Sequence, residues 1–463
     1  MVALAQLTVL AGATASNIAV PTIVRDLHMS SGDTALVSTL YLLGFGALLF
    51  AGGHVADHVG RRTTLVVGLL GFALASAIAG LAPGFPVLAG ARLLQGGAAA
   101  LVSAAGLALV STGFTDPKER GRAFAVYGAI VAGGSTLGLL TGGWLVEELS
   151  WRMCFFVAVP VAAVAVVGAF TLLPEHRGPS GVRPDPVGLL LGCLGLAAVL
   201  GGVNQAPSHG WTAPLTLVPT AIGVALLAGL ACWLTASGGS SMLPHPFRDR
   251  NRVGSLLALT LAGAGLLVLL TALTYCLQQT FGYTLLGTGA AFLPMVAAIT
   301  AAAALGSTGP LRGLAPGFTV AGGLLLAAIG TALLTTLQPQ TGYVTGILPG
   351  LVLAGLGIGL AWPSILATAT AGSPDRFAGA LGATVTATQQ LGTALGAAFF
   401  AAYLTGRTRD LNGHLNQVPT PSAIPRLFLQ FCTDALWWAT GGLVLAAVLA
   451  AVLATGRSGR ADS

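Results

Sequence analysis

The stretch GGHVADHVGRRTTL, Gly52 to Leu65, decides how the chain is read. It is a short polar hinge between two long apolar runs. Residues 34–55 before it and 63–82 after it carry no Asp, Glu, Lys or Arg. Asp57, Arg61 and Arg62 crowd into the hinge, and Gly60 permits a tight turn between the runs. The same alternation of apolar run and short polar hinge repeats along the chain. Only 34 of 463 residues are charged, 20 basic and 14 acidic, or 7%. Soluble proteins carry about 25%. Hydrophobic residues make up 55% of the chain and the mean hydropathy is +0.86. So few charges cannot cover a soluble surface of this size, and the composition implies an integral membrane protein. The apolar runs are continuous, whereas strands of a membrane barrel alternate apolar and polar residues, so the spans are helices.

Breakers and charges divide the chain into apolar helices at 2–24, 34–55, 63–82, 86–112, 123–146, 152–173, 187–206, 213–235, 253–278, 285–307, 316–337, 343–370, 377–404 and 431–455. Pro83-Gly84-Phe85-Pro86 and Gln338-Pro339-Gln340-Thr341-Gly342 supply two of the divisions. An even count puts both termini on one side. With the termini inside, the inner loops hold Arg61, Arg62, Lys118, Arg120, Arg122, Arg177, Arg183, Arg248, Arg250, Arg252, Arg312, Arg376, Arg457 and Arg460. The outer side holds Arg25, Arg152, Arg407, Arg409 and Arg426. A split of 14 to 5 follows the positive-inside rule. The net charge of +6 is thus membrane topology, and nucleic acid is not an expected partner. The first run lacks a basic flank and a small-residue cleavage site, so no cleavable signal peptide is expected.

Several function classes are excluded. Lys118, the single lysine, stands in Asp116-Pro117-Lys118-Glu119, so no Walker-type phosphate loop exists. Cys154, Cys193, Cys232, Cys276 and Cys432 are far apart in sequence and read as small buried hydrophobes. His54 and His58 stand four apart without an evident third ligand, so no metal site is expected, and no cofactor. The longest loops (174–186, 236–252 and 405–430) are too short to fold as enzyme domains. Function must sit within the helices, and the chain is expected to be a non-enzyme.

The hinge resembles the signature G-x-L-A-D-R-x-G-R-K-x-x-L of the major facilitator superfamily. Gly53, Ala56, Asp57, Gly60, Arg61, Arg62 and Leu65 match, with Val55 conservative and His58 in place of Arg. Physically, Gly53 lets another helix approach, and Asp57 can face a helix N-terminus. Arg61 and Arg62 can pair with carboxylates. The resemblance implies that Gly53, Asp57, Gly60, Arg61 and Arg62 form a conformational gate. LAGARLLQGGAAA (Leu88 to Ala100) resembles the family's second motif. Arg92 is the one charge well inside a span, and it either serves function or snorkels to the outer interface. GSTLGLLTGG (Gly134 to Gly143) resembles the drug-antiporter motif, with Leu139 where that motif has Pro. Gly134, Gly138 and Gly142 share one helix face, and Gly143 follows them as a packing residue. WRMCFFVAVP (Trp151 to Pro160) and TATQQLGTALG (Thr386 to Gly396) are similar to stretches of the fourteen-helix drug:proton antiporters, here of actinobacterial type. In helix 1, AGATASNIAVP keeps Thr14, Asn17, Ala19 and Pro21 of the group's pattern but has Gly12 where a membrane-embedded acid is expected.

The resemblance implies a major facilitator fold of fourteen helices. Residues 1–174 would form one six-helix bundle, 187–235 two inserted helices and 253–456 a second six-helix bundle. It also implies a monomeric exporter of hydrophobic drugs, antibiotics or natural products across the bacterial plasma membrane, exchanging substrate for protons by alternating access. A facilitator or importer of the same fold is the other reading. No carboxylate lies at the midplane, which favours neutral or anionic substrates. Candidates for proton coupling are Asp33, preferred in a pair with Arg92, then Asp434, with Asp57 a further acid. Candidate cavity residues are Asn17, Tyr41, Phe45, Gln95, Tyr127, Trp362, Gln389 and Gln390. The last two either line the cavity or hydrogen-bond between helices.

Overall fold

In hydrocarbon each backbone N–H must find a carbonyl within its own segment, and the long apolar runs meet this as α-helices. The computed structural model describes residues 1–29, 31–114, 116–174, 185–236, 249–308, 316–371, 374–414 and 424–453, less some side chains at the segment ends. The helices are α1 (Val2–Asp26), α2 (Ser31–His58), α3 (Arg61–Gly80), α4 (Phe85–Thr112), α5 (Pro117–Glu148), α6 (Met153–Phe156), α7 (Ala158–Leu172), α8 (Pro186–His209) and α9 (Pro214–Ala236). They continue with α10 (Arg250–Tyr275), α11 (Leu285–Ala291), α12 (Leu293–Thr308), α13 (Pro316–Leu333), α14 (Leu348–Thr370), α15 (Ala378–His414) and α16 (Ile424–Leu453). Among the described residues, 13 helices are long and apolar enough to cross a membrane. The fourteenth expected span corresponds to α15, which Thr384, Thr386, Thr388, Gln389 and Gln390 make less apolar.

Several boundaries differ from expectation, each for a local reason. The sixth span is two helices, α6 and α7, because Pro160 has no N–H to offer the Phe156 carbonyl. The tenth divides into α11 and α12 where Pro294 leaves the Ala290 carbonyl in the same position. The ninth continues into a π turn, Cys276–Thr280, and the twelfth opens with another, Tyr343–Ile347, ahead of Pro349. α5 starts earlier than 123, because Asp116 caps it by accepting from the Lys118 N–H at 3.0 Å and Pro117 suits the first turn. α15 runs on to His414 and α16 starts at Ile424, so the segment 405–430 is mostly helix.

The chain divides into two compact units. Unit 1 comprises Met1–Arg120, Gly133–His245 and Gly372–Ala387. Unit 2 comprises Gly121–Ala132, Pro246–Ala371 and Thr388–Ser463. Helices α8 and α9 fall in unit 1 by this division. α8 lies on α2 so closely that a Cβ on Gly46 would sit 2.8 Å from the Ala197 backbone.

Within unit 1, α2 and α4 cross on Gly44 and Gly96, where an added Cβ would overlap the Leu93 and Tyr41 carbonyl oxygens respectively. Within unit 2, α14 meets α12 at Gly355, 2.5 Å from the Met295 oxygen for an added Cβ. Such backbone approach replaces the hydrophobic gain that helices lack in lipid. Gly96→Ala is therefore expected to lower stability by about 1–3 kcal/mol, since backbone must shift. Gly442→Ala, where nothing lies within 4 Å, is expected to be neutral. Thermal unfolding of the purified chains in detergent checks both.

Candidate functional site

The hinge between α2 and α3 builds the first site, all of it in unit 1. Gly60 has φ 125°, a conformation that glycine supplies and other residues resist, and it turns the chain into α3. At the penultimate position of α2, Asp57 is 7% exposed. Its Oδ1 accepts from the Gly379 N–H at 2.8 Å and its Oδ2 from the Ala380 N–H at 2.9 Å. These are among the first N–H groups of α15, which have no partner within the helix. A carboxylate there meets both the free donors and the positive end of the helix dipole. The approach depends on Gly53 and Gly379. A Cβ on Gly53 would lie 2.5 Å from the Gly379 oxygen, and one on Gly379 would overlap the Gly53 oxygen.

Arg61 supports the same junction. It lies 3.8 Å from the Asp57 carboxylate and donates to the Thr112 hydroxyl and the Asp375 carbonyl oxygen. Arg62 is directed elsewhere, donating to the Leu173 carbonyl at 3.2 Å with its guanidinium 5.1 Å from the Phe170 ring centroid. The His54 and His58 rings lie tilted by 42°, with centroids 3.9 Å apart. Gly379, Ala380 and Asp375 were not identified from sequence. Gly53 signalled that a helix would come close, but nothing in the chain says which one.

The second site in unit 1 centres on Arg92, which is fully buried on α4. Its Nε donates to the Val37 carbonyl at 3.1 Å, and a terminal nitrogen donates to Gln95 Oε1 at 2.6 Å. Gln95 passes the chain on, donating to Ser76 Oγ at 2.8 Å. The Arg92 guanidinium carbon lies 4.6 Å from the Tyr41 ring centroid and 6.0 Å from that of Phe155. No carboxylate pairs with it among the described residues. It is enclosed by protein, so snorkelling outward does not describe it. Asp33, proposed as its partner, has a side chain outside the described residues. Phe45 is buried with its ring centroid 6.3 Å from that of Tyr41. Asn17 stands apart and exposed, accepting from Ser38 Oγ at 3.0 Å.

The α5 glycines pack on α1. An added Cβ would lie 3.3 Å from Leu10 at Gly134, 2.6 Å from the Ala11 oxygen at Gly138 and 2.6 Å from the Ala15 Cα at Gly142, and Gly143 is buried beside them. α5 is continuous through Leu139. At Gly12 the space is closed by the Phe72 ring, 3.3 Å from where a Cβ would stand.

Unit 2 holds the remaining candidates. Tyr127 and Trp362 are both buried, and Gly128 meets Pro363 at 3.0 Å for an added Cβ. The Trp362 indole N–H has no acceptor among the described residues. Gln389 and Gln390 are half-buried on the stretch of α15 that also packs on α10 through Gly392 and Gly396. Asp434 accepts from the Tyr403 hydroxyl at 2.8 Å. An open apolar cavity of about 550 Å³, lined by Tyr283, Leu293, Pro294 and Tyr343 among others, contains none of these residues.

Removing the Asp57 carboxylate leaves two α15 amides without acceptors. Hydrogen bonds to a charged group are worth about 1.5–3 kcal/mol. Asp57→Ala is expected to speed hydrogen exchange at the Gly379 and Ala380 amides by about 10-fold to 100-fold. Mass-spectrometric exchange on peptides covering α15 reads this, with Asp26→Ala as a control remote from α15.

Comparison with known proteins accords with this architecture. Residues 2–397 match the model of the Major Facilitator Superfamily. The puromycin resistance protein pur8 of Streptomyces alboniger is 42% identical over 460 residues, covering 99% of this chain and 91% of that protein. The cephamycin export protein CmcT of Amycolatopsis lactamdurans is 30% identical, covering 90% of this chain and 88% of that one. The crystal structure of the human organic anion transporter MFSD10 superposes with a TM-score of 0.62 at 17% identity, covering 97% of each chain. The chain belongs to the Major Facilitator Superfamily and is a multi-pass membrane transporter, not an enzyme.

Proposed function

We propose that this transporter exports hydrophobic antibiotics or related natural products across the bacterial plasma membrane, by alternating access and in exchange for protons. The observation that carries the reading is the 42% identity, along 99% of the chain, to a puromycin resistance protein. Further support comes from the kinship with a cephamycin export protein. Charge bias supports an orientation with both termini in the cytoplasm. The Asp57 junction then lies at the cytoplasmic end of α2 and acts as a gate. Its carboxylate holds the α15 N-terminus in one state and must release it in another. Arg92, a buried cation without a described counter-charge, favours neutral or anionic substrates over multiply charged cations.

The filled space at Gly12 favours a second reading, a facilitator or importer without strict proton coupling. The acid common in this position is absent, and Phe72 occupies its surroundings. Coupling would then rest on Asp33 with Arg92, or on Asp434.

Inside-out membrane vesicles separate the two readings, with puromycin as the probe. Imposing an interior-acid gradient is expected to drive accumulation several-fold above equilibrium, and a protonophore is expected to abolish it. Equilibration regardless of the gradient would sink the antiporter reading. Asp33→Asn and Arg92→Gln are each expected to remove gradient-driven accumulation. If Asp33→Asn leaves it intact, the pairing with Arg92 is wrong.

A further inference from the structure

Cys276 and Cys432 are far apart in sequence, yet both fall in unit 2 on facing helices. Cys276 closes α10 as the first residue of the π turn Cys276–Thr280, and Cys432 lies near the start of α16. The helices α10 and α16 pack together at Gly265, where an added Cβ would be 3.1 Å from Leu443 and 3.3 Å from the Ala439 oxygen. Moving along α10 from Gly265 to Cys276 covers about three helical turns and returns to the same face. Moving back along α16 from Leu443 to Cys432 covers the same distance in the opposite sense. An antiparallel pair in this register sets the two cysteines opposite each other.

Three aromatic contacts mark the same level. The Tyr275 ring centroid is 5.7 Å from that of Phe400, and Phe400 is 5.3 Å from Phe431. Phe431 in turn lies 5.3 Å from Tyr403, the donor to Asp434. The Cys276 thiol faces the Cys432 thiol, with the Thr280 side chain beside it. Cys276 is 1% exposed, Cys432 0%, and both are free thiols.

We propose that Cys276 and Cys432 form a disulfide-forming pair that staples α10 to α16. Closure takes two electrons and two protons from the thiols and forms one S–S bond. A two-electron thiol oxidant receives them, either an azo compound reduced to its hydrazine or a disulfide reduced to two thiols. Because neither thiol is exposed, the oxidant reaches the pair when the π turn opens locally. The end of α10 remote from Arg250 and Arg252 is exoplasmic under the proposed orientation, where disulfides persist. The chemistry in the purified chain does not depend on that orientation, nor on the substrate.

The test uses the full chain in detergent, treated with diamide, quenched, denatured and alkylated. Alkylation of Cys154, Cys193 and Cys232 alone is expected, together with a linked peptide joining residues 276 and 432. The midpoint of thermal unfolding is expected to rise, because the link restricts the unfolded chain, and to fall back with dithiothreitol. Cys276→Ser is expected to keep its four remaining thiols alkylatable and to show no diamide-dependent shift. Five alkylatable cysteines in the treated wild type, or a link that joins Cys276 or Cys432 to another cysteine instead, would overturn the proposal. A link between 276 and 432 with no change in unfolding would overturn the staple.

Discussion

Apolar helices gain nothing from burying apolar surface against each other when lipid is already apolar, so association depends on how closely backbones can approach. This chain meets that constraint with 66 glycines. The consequence reaches its chemistry, because crossings on glycine decide which polar groups meet. The contact of Gly96 with the Tyr41 carbonyl brings the Tyr41 ring over the Arg92 guanidinium. The Gly53–Gly379 crossing brings Asp57 within hydrogen-bonding distance of two amides 322 and 323 residues away. Neither site could exist with alanine at the crossing and the same backbone.

Arg92 shows how a charge persists inside such packing. Moving an arginine to the centre of a span costs at least ~2.5 kcal/mol on insertion scales. Here the Val37 carbonyl, Gln95 and the Tyr41 face share the guanidinium, and Gln95 is in turn held by Ser76. Each of these partners is neutral. The cation is solvated by dipoles and retains its charge toward whatever anionic group arrives, which is what a substrate or a coupling carboxylate would require.

Much of the fold was legible in the sequence because hydropathy is additive along the chain. The hinge at Gly52–Leu65 could be read because its charges interrupt two uncharged runs. The breaks at Pro160 and Pro294 were visible as residues but not as breaks, since prolines within spans are often tolerated. The partners of Asp57 were illegible for a different reason. Gly379 and Ala380 act through their backbone, which every residue has, so no side chain announces them. The facing of Cys276 and Cys432 depends on the register of two helices that the sequence leaves free, and spacing alone made them inert hydrophobes.

Among the described charges, seven share one role: they close helix ends. Asp116, Asp185 and Asp249 cap the N-termini of α5, α8 and α10, and Asp57 meets that of α15. Basic residues take the opposite ends. Arg62 donates to Leu173 at the end of α7, Arg252 to Ala371 at the end of α14, and Arg250 to Val452 at the end of α16. Arg152 donates to Ala82, just beyond α3. Both signs thus sit where the helix dipole favours them. Most of these caps are local or partly exposed, so water can replace them at little cost. Among the capping carboxylates, Asp57 differs in being buried and bonded to the end of a helix more than 300 residues away. Moving that helix end away strips a buried carboxylate of two donors at once, a cost that must be met by water entering or by a proton arriving. If the junction gates transport as proposed, its opening would respond to hydration and protonation, and the hinge would be the place where the energetics of transport and of folding meet.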